Sequence, residues 1–139
     1  MNKFQLSLLL VVAICNLMTG RTSAMYHIVG AKLGWNIPPN KTYYQDWAKS
    51  RVFSVEDKLL FAFRSPLHNV VEVGKDDFDE CKQENLIYTY SSGPLIVNFT
   101  MPGDHYYYSG VGIQCELGQK LHVPVVSRKG SSGRNSKTL

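Results

Sequence analysis

Short runs of β-branched and aromatic residues, separated by Gly, Pro, Asn and Asp, recur along the chain from residue 26 to residue 126. Their length and spacing are typical of the strands of an all-β sandwich. Within the runs, inward and outward side chains alternate, which gives each strand one face toward the core. The predicted strands are Tyr26–Gly30, Lys58–Phe63, Asn69–Val73, Leu95–Thr100, His105–Tyr108 and Lys120–Val126.

The N-terminal residues 1–24 have the features of a secretory signal peptide. Lys3 supplies a positive charge, residues 6–18 are largely apolar, and Thr22-Ser23-Ala24 is a small-residue cleavage site. The apolar run is interrupted by Asn16 and is shorter than the roughly 20 residues that span a bilayer, so we expect no membrane span. The sequence therefore predicts a secreted protein whose folded domain covers residues 25–126.

The cysteines of the exported chain indicate one disulfide. Removal of residues 1–24 also removes Cys15, which leaves Cys81 and Cys115 in an oxidising compartment. Loop-closure entropy gives such a bridge a stabilisation on the order of 4 kcal/mol. The segment 75–83 is acidic and has no β-branched residue, so we predict a short helix or turn that positions Cys81.

The net charge of +4 does not indicate a nucleic-acid partner. Six of the 15 basic residues lie in the signal peptide or in the C-terminal tail, and the domain between them carries all 11 acidic residues. A nucleic-acid footprint would need clustered basic residues on the domain. The tail, residues 127–139, is rich in Ser, Gly, Lys and Arg, so we expect it to be disordered, without the apolar segment of a GPI signal.

Two N-glycosylation sequons fit this layout. Asn40 precedes Lys41-Thr42 in a Pro-rich loop, and Asn98 precedes Phe99-Thr100 in a predicted strand, where the alternation points Asn98 away from the core. Both asparagines are candidate glycan sites of a secreted protein.

An ordered series of motifs closely resembles the phytocyanins, which are plant cupredoxins. The motifs are Tyr26 to Trp35, Tyr44-Gln45-Asp46-Trp47-Ala48, His68-Asn69-Val70-Val71-Glu72-Val73, Phe78-Asp79-Glu80-Cys81, His105-Tyr106-Tyr107, Ser109-Gly110-Val111 and Cys115 to Leu121. The similarity extends over nearly all of residues 25–126. It implies a cupredoxin-like Greek-key β-sandwich with one short helix and a disulfide between Cys81 and Cys115.

The resemblance also identifies the positions of a copper site. In copper-binding phytocyanins the ligands are a His of the His-Asn-Val motif, a Cys before Gly-Val, a His just before the disulfide Cys, and a weak axial Gln or Met. The corresponding residues here are His68, Ser109, Gln114 and Gln119. A serine hydroxyl is not ionised near neutral pH, and an amide replaces the second imidazole, so two strong ligands are absent.

Other side chains do not replace these ligands. His27, His105 and His122 lie in predicted strands away from the His68 loop, and we expect them to be surface or hydrogen-bonded residues. Disulfide sulfurs supply no thiolate. We therefore expect no metal cofactor, with copper as the alternative.

Aromatic and acidic residues give weaker signals. We expect Tyr106-Tyr107-Tyr108 to pack in a sheet, Trp47 to be a core residue, and Trp35, between Gly34 and Pro38-Pro39, to be the more exposed tryptophan. The acidic cluster is predicted to be a solvated face, without the spacing of a calcium loop; it comprises Asp76, Asp77, Asp79 and Glu80.

The chain contains no nucleophile elbow, metal-ligand histidine pair or phosphate-binding glycine loop, so we expect no enzyme. The leading hypothesis is a secreted, non-redox module that resembles the early nodulin-like phytocyanins. We expect it to bind an extracellular glycan or protein in the cell wall or at the outer face of the plasma membrane. The alternative is a blue copper electron-transfer protein with an altered site.

Overall fold

The computed structural model of the protein describes residues 2–8, 10 and 24–127. Most of the predicted signal peptide, 1–24, and of the predicted tail, 127–139, lies outside the described residues. In the described part of the chain, no helix has the length and apolar character required to cross a membrane.

Residues 24–127 form a two-sheet β structure with two short α-helices. The strands are β1 (Tyr26–Ile28), β2 (Phe53–Ser54), β3 (Lys58–Phe61), β4 (Val70–Val73), β5 (Leu86–Tyr90), β6 (Leu95–Asn98), β7 (Gly103–Tyr108) and β8 (Lys120–Val126). The helices are α1 (Tyr43–Lys49) and α2 (Lys75–Glu80), and a 3-10 turn covers Ala31–Leu33.

The strands are arranged in sheets of three and five. The smaller sheet has the order β1-β3-β6, with β1 parallel and β6 antiparallel to β3. The larger has the order β2-β8-β7-β4-β5, in which only β2 pairs in parallel, with β8. Because strands distant in sequence pair in both sheets, the chain crosses between the two layers as the predicted sandwich requires.

The core lies between the two sheets and confirms the predicted alternation. Leu59 and Phe61 of β3 and Val97 of β6 pack against Val70 of β4 and Val123 of β8, and all five are buried. Their neighbours on β3, β6 and β8 are less buried, as the two-residue period of a strand requires. On β4, the neighbouring Val71 is also buried, because it belongs to a second apolar cluster on the opposite face of the larger sheet.

Both helices pack against the larger sheet, α1 on β8 and α2 on β7. Helix α1 was not predicted; it buries Tyr44 and Ala48, one turn apart, and its Gln45 side chain bonds both backbone groups of His122, at 3.1 and 3.2 Å. Helix α2 confirms the short helix predicted in segment 75–83. It ends at Glu80, and the next residue, Cys81, is in the left-handed conformation with φ 54° and forms the disulfide with Cys115.

Several further details differ from the sequence expectations. Strands β2 and β5 were not predicted, and the predicted run Tyr26–Gly30 ends as a strand at Ile28 because Gly30 turns the chain with φ 76°. The prediction that Trp35 is the more exposed tryptophan is wrong: its exposed fraction is 0%, because the ring packs on Phe61 and Tyr44, whereas Trp47 is only partly buried.

The prediction of a fully solvated acidic face is wrong at Asp77. This side chain is buried, and its Oδ2 accepts a hydrogen bond from the backbone N–H of Asn85 at 2.5 Å, which offsets the cost of burying the carboxylate. The other three acidic residues of the cluster are exposed.

Candidate functional site

One end of the larger sheet brings together the four positions that the resemblance identifies. His68 lies two residues before β4, Ser109 follows β7, and Gln119 precedes β8. Because β4 and β8 both pair antiparallel with β7, the start of each lies beside the end of β7. Gln114 lies in the loop that joins β7 to β8. All four side chains therefore meet at this end of the sandwich.

Three of these side chains form one hydrogen-bonded network, and Gln119 lies against it. Ser109 Oγ donates to Gln114 Oε1 at 2.6 Å, and the same oxygen lies 3.0 Å from His68 Nδ1. Gln119 Nε2 lies 3.2 Å from His68 Nδ1. Ser109 and Gln119 have no exposed surface, and His68 is 9% exposed. The centre of the site is thus filled by contacts among the protein's own side chains.

The partners of Gln114 fix the tautomer of His68. Gln114 Nε2 donates to the carbonyl oxygen of Leu67 at 3.1 Å, so its Oε1 faces His68. An amide oxygen only accepts hydrogen bonds, which requires His68 Nδ1 to carry the proton in this contact. In the neutral ring, Nε2 then has the free lone pair.

Gln119 is incompletely satisfied in this network. Its Oε1 is buried without a hydrogen-bond partner, and its Nε2 faces the protonated Nδ1 of His68. Exchanging the two amide ends would let the oxygen accept from Nδ1 but would leave the NH2 group without an acceptor. The position that corresponds to an axial ligand therefore retains an orphaned polar group.

Asn69 links the two loops of the site, a role that the sequence analysis did not assign. Its Oδ1 accepts a hydrogen bond from the backbone N–H of Gly110 at 2.7 Å, and its carbonyl oxygen accepts from Trp35 Nε1 at 2.8 Å. The position of Asn69 directly after His68 in the quoted motif was the available signal. Trp35 and Asn69 together hold the His68 loop against the core.

The donor set of the site does not fit a blue-copper centre. Such a centre needs a thiolate and two imidazoles, whereas this site offers one imidazole, a hydroxyl and two amides. Among the described residues, no group of three or more His, Cys, Asp or Glu side chains could hold a metal ion. The hydroxyl and amide of Ser109 and Gln114 are also bonded to each other, so neither is directed at a shared metal position.

The other histidines confirm the expectation of hydrogen-bonded residues remote from His68. His27 Nε2 lies 3.0 Å from Asp57 Oδ2 in the core, and His122 Nε2 lies 2.8 Å from Asp104 Oδ1. His105 bonds Glu72, and that hydrogen bond, together with the one to Met101, outweighs burial and raises the pKa of His105.

The remaining predicted residues are located as follows. Cys81 and Cys115 form the predicted disulfide. The side chains of Asn40 and Asn98 are exposed, and Asn40 Oδ1 accepts a hydrogen bond from Thr42 Oγ1 at 3.1 Å. Tyr107 and Tyr108 are buried, whereas Tyr106 stacks on His122 with ring centroids 4.6 Å apart. The tyrosine run therefore packs within the sheet, as predicted.

Known proteins are similar to this chain in sequence. A family model described as a plastocyanin-like domain matches residues 35–119. Cucumber peeling cupredoxin from Cucumis sativus is 38% identical over 73% of this chain and 75% of its own length. Early nodulin-like protein 14 from Arabidopsis thaliana is 36% identical over 74% of this chain, which spans 58% of the length of that relative.

Solved structures share the fold. The structure titled cucumber stellacyanin, Cu2+, pH 7.0, has a TM-score of 0.69 and 36% identity, covering 76% of this chain and 97% of that one. Cucumber basic protein, a blue copper protein, has a TM-score of 0.63 and 27% identity, covering 72% and 98%. These similarities confirm the cupredoxin-like β-sandwich, and the chain belongs to the phytocyanin family.

Proposed function

We propose that this protein is a non-redox, non-catalytic extracellular binding module that resembles the early nodulin-like phytocyanins. The observation that carries the proposal is the closed contact among Ser109 Oγ, Gln114 Oε1 and His68 Nδ1, at 2.6 and 3.0 Å. Side chains at three of the four ligand positions satisfy one another. We infer that the side chains at the former metal position now stabilise the loops that carry them.

The chemistry of copper supports this proposal. Electron transfer at a blue-copper centre depends on a short copper–thiolate bond, which a serine oxygen does not reproduce. Binding of a metal through His68 Nδ1, the nitrogen that faces Gln114 and Gln119, would also require it to give up its hydrogen bond to Gln114 and to rearrange a buried network. One imidazole and one amide oxygen are too few strong ligands to offset the free energy lost when this network is broken.

An extracellular location is part of the proposal. The predicted signal peptide, 1–24, the disulfide between Cys81 and Cys115, and the two exposed sequon asparagines support it. We propose that the module acts in the cell wall or at the outer face of the plasma membrane on a glycan or a protein. The excess of acidic over basic residues in the domain disfavours nucleic acid.

Copper titration tests the proposal directly. The purified protein is mixed with Cu(II), dialysed, and examined for bound copper and for visible absorption, with cucumber stellacyanin as the positive control. We expect substoichiometric copper and no intense visible band. Stoichiometric copper with an intense thiolate band would contradict the proposal and would support the alternative, a blue copper electron-transfer protein with an altered site.

A second experiment tests location and partner class. Expression of the full chain in plant cells, followed by apoplastic washing and glycosidase treatment, should give a secreted protein that loses mass on deglycosylation. Asn40→Gln and Asn98→Gln variants assign the glycans. Intracellular retention of the folded protein would contradict the extracellular part of the proposal. Separately, a glycan array probed with the secreted protein tests for a carbohydrate partner.

A further inference from the structure

An open cavity of about 390 Å³ lies beside His68, outside the hydrogen-bonded network. Its walls are apolar at Ala62, Phe63, Leu67 and Pro94, and Arg64 is the only charged residue that lines it in the described part of the chain. The volume falls in the range of about 300–1,000 Å³ that small-molecule sites occupy. Apolar walls with a few polar groups are also typical of such sites.

Hydrogen bonds between two loops hold the walls of this cavity in place. Ser65 Oγ donates to the carbonyl oxygen of Ser91 at 2.8 Å and accepts from the backbone N–H of Gly93 at 3.1 Å. Gly93 packs so closely on Phe63 that an added Cβ would lie 2.5 Å from the Phe63 carbonyl oxygen. The loop before β6 and the end of the β3 segment are therefore fixed relative to each other.

Two polar groups of the cavity have unused binding capacity. The side chain of Arg64 is exposed and makes no hydrogen bond or ion pair with another described residue; only its backbone carbonyl is bonded, to the N–H of Leu67. His68 Nε2 also has no partner among the described residues and is not one of the fully buried unpaired atoms, so it is accessible. Since the network places the proton on Nδ1, Nε2 of the neutral ring accepts hydrogen bonds.

We propose that this cavity binds small organic acids that have an apolar, preferably aromatic, body. The carboxylate pairs with the guanidinium of Arg64, whose planar donors match its geometry. The apolar body packs on Phe63, Leu67 and Pro94, and a hydroxyl substituent donates to His68 Nε2. This inference rests on the proposed binding function and names the ligand class of the surface beside the former copper position.

The positive charge of Arg64 is the reason to expect a ligand with a carboxylate group. A neutral apolar ligand would leave Arg64 without a partner, whereas an acid places a charge-assisted hydrogen bond where no protein side chain competes. The inward nitrogen of His68 remains bonded to Gln114, so binding leaves the network intact. The proposed ligand thus uses the rim of the site and not the former metal position.

The test compares an acid with its neutral isostere. Binding of trans-cinnamate and of trans-cinnamamide to the disulfide-bonded protein at pH 7 is followed by calorimetry and by chemical shift changes. For the acid we expect a Kd in the range of about 0.1–1 mM, with shifts at Phe63, Arg64 and Leu67. We expect the amide to bind at least about tenfold more weakly.

Variants of the protein distinguish the contribution of the Arg64 charge to binding from that of the shape of the cavity. Arg64→Gln should weaken binding of the acid at least about tenfold, and Ala62→Phe should block the cavity while keeping Arg64. Lys32→Gln, at an exposed lysine outside the cavity, is the matched control and should bind as the unmodified protein does. Near-ultraviolet circular dichroism confirms that each variant is folded.

Equal binding of acid and amide, an affinity unchanged by Arg64→Gln in the folded protein, or no binding of the acid at millimolar concentration would overturn the inference. None of these results would produce a copper–thiolate band. Failure of the ligand assignment is therefore distinguishable from failure of the proposed non-redox function.

Discussion

Ser109 Oγ donates a hydrogen bond of 2.6 Å to Gln114 Oε1, and this bond joins the positions at which the resemblance places a thiolate and an imidazole. Ser109 is fully buried, so an unpaired hydroxyl there would cost about 1–3 kcal/mol. Gln114 removes that cost and also bonds His68. The two side chains are thus structurally complementary, and their hydrogen bond holds together the two ends of the loop between them.

A double-mutant cycle measures this complementarity. Ser109→Ala and Gln114→Ala each remove one partner, and we expect a coupling free energy of about 1 kcal/mol between them. Urea unfolding of the unmodified protein, both single variants and the double variant gives the value. Strict additivity would show that the two side chains do not stabilise each other in solution.

The buried pair of His27 and Asp57 predicts a pH-dependent stability. Burial alone would raise the pKa of Asp57, but hydrogen bonds from His27 Nε2 and from the backbone N–H groups of Ser54 and Met25 outweigh it, so the pKa is lowered. A depressed folded pKa contributes stability above the unfolded pKa near 3.9, and that contribution disappears as the pH falls through the folded pKa.

The variant Asp57→Asn checks this prediction. It should lower the free energy of unfolding at pH 7 by about 3 kcal/mol, because a buried hydrogen-bonded charge is lost. The difference from the unmodified protein should shrink as urea unfolding is repeated from pH 5 to pH 2. Asp46→Asn, at an exposed carboxylate of α1, is the control. A difference that is constant over this range would contradict the prediction.

Asp57 also provides a test of signal-peptide processing. The backbone nitrogen of Met25 lies 3.1 Å from Asp57 Oδ1. Cleavage after Ala24 would turn this N–H into an α-ammonium, whose charge strengthens the hydrogen bond. We expect the processed protein to exceed the same chain with an N-acetylated Met25 in stability by about 1 kcal/mol at pH 6. Equal stabilities would show that the terminal charge is solvated away from Asp57.

The disulfide should act as a structural constraint. Cys81 and Cys115 close a loop with a sequence separation of 34 residues, for which loop entropy gives about 4 kcal/mol. Thiol titration of the native mature protein should find no free thiol. Replacing both cysteines by serine should lower the free energy of unfolding by an amount of that order, measured with denaturant. Two reactive thiols in the native protein would contradict the bridge.

The sequence predicted the sandwich because its core strands follow the two-residue period, as at Leu59 and Phe61. It did not predict β5, whose five residues lie at the sheet edge and are largely exposed, so that they show no alternation. Trp35 was misassigned because the neighbouring Gly and Pro residues indicate a surface loop. Its burial depends on tertiary contacts of the indole ring with Phe61, Tyr44 and Asn69, which the local sequence does not show.

The four site positions were identified by motif, but their mutual bonds were not. A ligand set can be located by its spacing along the chain. The orientation of the Gln114 amide, by contrast, depends on the Leu67 carbonyl, which lies 47 residues away. Arg64 and its cavity were also missed, since the walls come from loops that are close only in the folded protein.

Restoration of copper binding is the strictest test of the site. Ser109→Cys with Gln114→His should supply the missing thiolate and imidazole around His68 and Gln119. The structure favours this outcome because β4, β7 and β8 already bring the four positions together, and Asn69 ties the His68 loop to Gly110 at 2.7 Å. The double variant should turn blue with Cu(II), whereas the unmodified protein should stay colourless.

Single variants provide the controls for this reconstruction. Ser109→Cys alone should bind copper more weakly than the double variant, because one imidazole is still absent. Gln114→His alone should give no intense visible band, since that band requires the thiolate. Absorption spectra and copper content at equal protein concentration decide between these outcomes. A correctly folded double variant that binds no copper would show that the loop between Ser109 and Cys115 adopts a geometry incompatible with the metal.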